Sequence, residues 1–191
     1  MKVLGIDPGT CFCGLALIDT AHPEEIEYLW TLCHAVVKPD PIVDNQAWFR
    51  RLWGFTRKYK PEVIVYENYV CQGKRMADNA IEMLQLLGAI QCLGTVAPYP
   101  SIEVCDPMVW RRQLLGSWMP ARTGHMDAVV QMVLKARFPD DDRLRISCLR
   151  DSHYLDALGI VLAWADTRNV LLPGRSVYAS PLCDDYIVPT A

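Results

Sequence analysis

A chain of 191 residues is long enough to bury one full hydrophobic core and short for two. With 51% apolar and 21% charged residues it reads as a globular domain, not a disordered polymer, and its apolar runs fall short of the ~20 residues that cross a bilayer. The formal net charge of −3 neither requires nor excludes a nucleic-acid partner.

Val3-Leu4-Gly5-Ile6-Asp7 is a short apolar run that predicts a first strand, broken by Pro8-Gly9-Thr10. Asp7 arrives too early for the apolar core of a signal peptide, so a soluble, cytoplasmic protein is expected. Gly14 to Ile18 resumes as a second strand, residues 19–25 turn, and Ile26 to Val37 predicts a third, closed by Pro39-Asp40-Pro41. From Val43 to Tyr59 the period becomes helical, with Ala47 or Trp48, Leu52, Phe55 and Tyr59 on one side. Its cations Arg50, Arg57 and Lys58 fall mostly elsewhere, on a face that is either solvated or turned to phosphate. After Pro61, Glu62 to Glu67 is apolar on both faces, as a central strand covered by helices on each side would be.

Lys74 to Val96 predicts a long helix whose apolar side is Ile81, Leu84, Leu86, Leu87 and Ile90. Ile102 to Cys105 predicts a fifth strand, and Asp106-Pro107 a helix start, with the acid as N-cap and proline at the first helical position. A short helix carries Trp110 to Leu115. Another spans Gly124 to Phe138 with Val129, Met132, Val133 and Ala136 inward, and an acidic loop follows at Asp140 to Asp142. A final helix runs from a cap at Asp151 or Ser152 to about Thr167. The order predicts one α/β domain over residues 1–167, with 168–191 as an irregular tail.

Eight cysteines raise the question of a disulfide or zinc framework. Cys11 and Cys13 are one residue apart and the other six are isolated, with no CxxC pair, so reduced, mostly structural thiols are expected.

The chemistry lies at two strand ends and one helix start. Asp7 closes Val3-x-Gly5-x-Asp7 and Glu67 closes Val63-x-Val65-x-Glu67, so each acid shares a face with buried predecessors. Singly, either also reads as a strand's ordinary exit into solvent. If the strands are neighbours, the two charges repel unless a proton or cation offsets them, and a divalent metal does this economically. His153 and Asp156, at i and i+3, share one face of a helical first turn. They read either as partners of the helix dipole or as further ligands; small Ala157 and Gly159 would let that helix pack tightly on a sheet.

Together, Gly5-Ile6-Asp7-Pro8-Gly9-Thr10, Val65-Tyr66-Glu67 and His153-Tyr154-Leu155-Asp156-Ala157-Leu158-Gly159 resemble, in order, the catalytic segments of the RuvC family of Holliday junction resolvases. The resemblance runs from about residue 2 to residue 166. It implies an RNase H-like fold, a five-stranded mixed sheet flanked by helices. It implies a metal-dependent endonuclease that resolves four-way or related branched DNA as a homodimer, in the cytoplasm with the nucleoid or in a viral host's cytoplasm. It also implies two Mg²⁺ ions, with Mn²⁺ able to substitute, held by Asp7, Glu67 and Asp156, with His153 as ligand or proton-transfer group. Two such ions would turn the net charge of −3 into +1.

By the same resemblance Tyr69, Gln72, Lys74 and Arg75 probe DNA, and part of the dimer contact lies on the helix from Lys74. Arg111, Arg112 and Arg122 are further candidates for contact with DNA. The chain departs from the family where a lysine usually precedes the last motif: Met126 stands there, with His125 beside it and Arg122 slightly earlier. Alternative readings are an RNase H-like nuclease for RNA–DNA hybrid or other branched DNA, a non-catalytic DNA-binding descendant, and an actin-like or sugar-kinase-like ATP-binding domain. The last would need a second phosphate loop, which the sequence lacks.

Overall fold

Apolar runs separated by a turn with Pro8-Gly9 and a turn with Pro23 make the first three strands, β1 (Lys2–Asp7), β2 (Phe12–Asp19) and β3 (Ile26–Cys33), successive antiparallel partners. In the computed structural model, residues 1–9, 12–33, 41–68, 80–116, 119, 126–144 and 152–168 are described. The predicted extension of β3 to Val37 lies outside them, as does all but one residue of the expected tail.

Helix α1 (Pro41–Tyr59) leads into β4 (Val63–Glu67), helix α2 (Ala80–Cys92) and β5 (Ser101–Cys105). Pro41, expected to close the preceding segment, instead opens the helix. Proline suits a first turn because its missing N–H would find no intrahelical partner there. β4 pairs in parallel with both β1 and β5, completing a mixed sheet in the order β3-β2-β1-β4-β5. Three helices follow, α3 (Pro107–Leu115), α4 (Met126–Arg137) and α5 (Ser152–Thr167).

The sheet divides the core into two layers, because side chains alternate across each strand. Leu4, Ile6, Leu15, Leu17, Ile64 and Tyr66 pack on Trp48 and Leu52 of α1 and on α2. Val3, Ala16, Val63 and Val65 pack on α3, α4 and α5. Each large side chain buried in these layers contributes roughly 1.5–3 kcal/mol. Helix α5 is buried almost all round from Ala157 to Ala165, as a helix enclosed by a sheet and two other helices must be.

Two helices are rotated from the sequence expectation. On α2 the inward residues are Met83, Leu86, Leu87 and Ile90, while Ile81 and Leu84 are 67% and 61% exposed. On α4 Met126, Val130, Val133 and Leu134 face the core; Met132 and Ala136 face out, and Val129 is half-buried. Both helices carry apolar residues on more than one side, so the period alone leaves their rotation open. No helix among the described residues is long and apolar enough to cross a membrane. Cys13, Cys92 and Cys105 are free thiols.

Candidate metal centre

Strands β1 and β4 run parallel with Ile6 beside Tyr66, so Asp7 and Glu67 leave the sheet side by side at its carboxyl edge. By alternation both point to the face covered by α5. The antiparallel partner of Asp7 on β2 is Gly14. A Cβ at Gly14 would lie 1.8 Å from the carbonyl oxygen of His153. Only glycine therefore lets the first turn of α5 rest on the strand backbone. One strand position away, a Cβ at Gly5 would lie 2.2 Å from the Ala157 carbonyl oxygen. This close seating brings His153 Nδ1 to 2.6 Å from Asp7 Oδ2, linking residues 146 apart in sequence.

Helix α3 supplies the other side of the site. Asp106 caps it, its carboxylate accepting from the backbone N–H groups of Met108 (2.8 Å) and Val109 (3.2 Å), with Pro107 at the first position as expected. The cap fixes where the next residues fall. Trp110, fully buried, donates its indole N–H to Glu67 Oε2 at 2.7 Å. Gly159 makes the room: a Cβ there would lie 2.6 Å from the Trp110 ring. The sequence predicted that Gly159 would seat α5 on the sheet, whereas it faces α3; Gly5 and Gly14 admit α5 to the sheet.

Arg111 follows, with its guanidinium 3.1 Å from Asp156 Oδ2 and 3.7 Å from Glu67 Oε2. Its guanidinium carbon lies 4.6 Å from the Trp110 ring centre, and its Nε is buried without a hydrogen-bond partner. Arg111 thus points into the carboxylates, whereas Arg112 is exposed on the same helix.

The electrostatics are those of a cluster short of positive charge. Burial, reinforced by Asp7, pushes the Asp156 carboxyl up to about 7 even with Arg111 beside it. Burial also raises Glu67, with Asp7 adding to the rise while Arg111 and the Trp110 N–H oppose it. The hydrogen bond to Asp7 holds His153 above the ordinary histidine value, against burial. Cys105, paired with Glu67 in the sheet, is pushed up to about 12 by burial and then by that carboxylate.

All four predicted ligands, Asp7, Glu67, His153 and Asp156, are therefore brought to one edge of the sheet. Their donor set suits a hard divalent cation: three carboxylates with an imidazole. Among the described residues, no three His, Cys, Asp or Glu side chains converge on one point as they stand. Two of them have other partners instead, Asp7 the His153 imidazole and Asp156 the Arg111 guanidinium.

Tyr69, Gln72, Lys74, Arg75, Arg122 and His125 lie outside the described residues. Met126, where the resembled family has lysine, is buried in the core and offers no charge. Sequence reasoning missed Trp110 and the inward role of Arg111; the Asp106-Pro107 cap sets their phase but does not say what they face. It also missed Asp127, exposed in the first turn of α4, whose charge is felt by both His153 and Asp156.

No family model matches the chain. Solved structures do. RuvC of T. thermophilus in complex with a Holliday junction substrate is 20% identical with a TM-score of 0.64, over 88% of this chain and 95% of that one. The yeast mitochondrial Holliday junction resolvase is 14% identical with a TM-score of 0.64, over 88% of this chain and 79% of that one. The fowlpox virus Holliday junction resolvase is 10% identical with a TM-score of 0.56, over 88% of this chain and 99% of that one. The chain is similar to all three over most of its length and has their fold, a five-stranded mixed sheet flanked by helices.

Proposed function

We propose that this chain is a metal-dependent endonuclease that resolves Holliday junctions or closely related branched DNA. The observation that carries the reading is the meeting of Asp7, Glu67, His153 and Asp156 at the carboxyl edge of β1 and β4. It is supported by the fold shared with resolvases, one of them solved on junction DNA.

In this reading Asp7, Glu67 and Asp156 would hold the metal, with Asp7 the central ligand, and His153 would be a further ligand or the proton carrier beside them. Mg²⁺ or Mn²⁺ held there would supply an activated water and stabilise the charge that builds up as the phosphodiester is cut. The chain's own residues do the rest. Trp110 fixes the Glu67 carboxylate with its N–H, and α5, seated on Gly5 and Gly14, fixes His153 and Asp156. Tyr69, Gln72, Lys74, Arg75, Arg112 and Arg122 are candidates to contact the DNA.

A four-way junction presents two symmetric cleavage points, so the acting species is a homodimer. The exposed Ile81 and Leu84 of α2 are the apolar surface we assign to that contact. The test is a synthetic four-way junction incubated with the full chain and Mg²⁺ or Mn²⁺. Paired symmetric nicks are expected, reduced more than ~100-fold in Asp7→Asn, a larger loss than a residue merely supporting a ligand produces. Junction cleavage undiminished in Asp7→Asn overturns the site, and cleavage of RNA–DNA hybrid with junctions left intact overturns the substrate.

A further inference from the structure

Three arginine–aspartate pairs stand in the described structure, and one is built unlike the others. Arg137 grips Asp166 with two parallel bonds of 3.1 and 3.2 Å. Arg143 holds Asp141 through Nε at 2.8 Å and through a terminal nitrogen, and also donates to the Ile26 carbonyl. Such forked pairing is how a guanidinium is fixed in place. Arg111 reaches Asp156 with one terminal nitrogen, stands 3.7 Å from Glu67, and leaves its Nε buried and unpaired. Its position is held mainly by charge and by stacking on Trp110.

The charges that hold it are two of the three carboxylates assigned above to the metal. The guanidinium takes up lone pairs of Asp156 Oδ2 and Glu67 Oε2 and sets a positive charge beside any divalent ion that the same carboxylates coordinate. Glu67 Oε2 already accepts from Trp110, which narrows what remains. A cation held through one terminal nitrogen at the negative centre of a half-buried cluster is what a replaceable occupant looks like.

We propose that Arg111 is a built-in competitor of the divalent cation at Glu67 and Asp156, a proposal that rests on the metal-dependent reading above. While no ion is bound, its guanidinium neutralises the two carboxylates and keeps them together. An ion on that side shares those carboxylates with Arg111 and is repelled by its charge, so Arg111 lowers the affinity of the DNA-free protein for metal.

The test measures Mn²⁺ binding to the full chain without DNA, by calorimetry and by the electron-spin signal of free Mn²⁺. Arg111→Gln is expected to bind Mn²⁺ tighter by on the order of 10-fold or more, within the range over which groups around a metal tune it. Arg111→Lys, which keeps the charge without the fork, is expected to lie between it and wild type. Equal or weaker affinity in Arg111→Gln, with Asp7→Asn still below wild type, overturns the competition and leaves the metal site standing. Identical Mn²⁺ binding in wild type and Asp7→Asn overturns the metal reading itself. Should Arg111→Gln fail to fold, the wild-type chain decides by nuclear magnetic resonance. The Arg111 side-chain N–H signal, assigned with Arg111→Lys, is expected to shift as Mg²⁺ is added, and a signal unmoved to saturation overturns the proposal.

Discussion

Asp156 shows most directly what the site costs the metal-free protein. Its carboxyl sits at about 7 in the folded state against an ordinary 3.8, because burial and Asp7 disfavour its charge. Between those values the folded chain keeps a proton that the unfolded chain has lost, so stability falls as pH rises, by up to about 1.4 kcal/mol per unit. Raised His153 acts in the same direction: its contribution is full below the ordinary histidine value and is lost as pH rises through its folded value. Thermal melts in a chelator should therefore show a lower midpoint at pH 8 than at pH 5.5. Asp156→Asn should flatten the slope between pH 5 and 7. A midpoint that climbs with pH over that range would show that Asp156 and His153 carry no such shifts.

At the scale of elements, the site depends on how closely α5 lies on β1 and β2. A methyl at Gly14 would have to enter the space of the His153 carbonyl, lifting the first turn away from Asp7. Gly14→Ala is expected to destabilise the protein by about 1–3 kcal/mol or more, as overpacking does, and to remove metal-dependent cleavage. Gly54→Ala, in α1 with open space around it, is expected to stabilise by about 0.5–1 kcal/mol. Chemical denaturation of both variants checks the pair, and a harmless Gly14→Ala would refute the close seating.

The same elements show how far the sequence could be read. Strands ending in Asp7 and Glu67 announced themselves as short apolar runs with an acid at the end of each, and Asp106-Pro107 marked the start of α3. The rotations of α2 and α4 were not legible, since Ile81, Leu84 and Met132 are as apolar as the residues that turned inward. Nor was the bond from Trp110 to Glu67, which spans 43 residues and needs Gly159 to admit the ring. A pattern of local period carries no information about such a meeting.

For the molecule as a whole, charge distribution explains more than net charge. An overall −3 coexists with a carboxylate cluster that Arg111 leaves undercompensated, so the proposed affinity for divalent metal does not require a basic protein. The proposed dimer contact lies on α2, where Ile81 and Leu84 stand exposed one turn apart. Leu84→Arg is expected to shift the protein from dimer to monomer in sedimentation, and to replace paired nicks on a junction with single ones. Unchanged sedimentation would place the dimer contact elsewhere. The Asp7–His153 contact has one more consequence, in time rather than space. Asp7 leaves the ribosome 146 residues before His153. Until α5 emerges and settles on Gly14, the nascent chain holds only half of the proposed metal site. The proposed site is thus complete only once α5 has been made and seated.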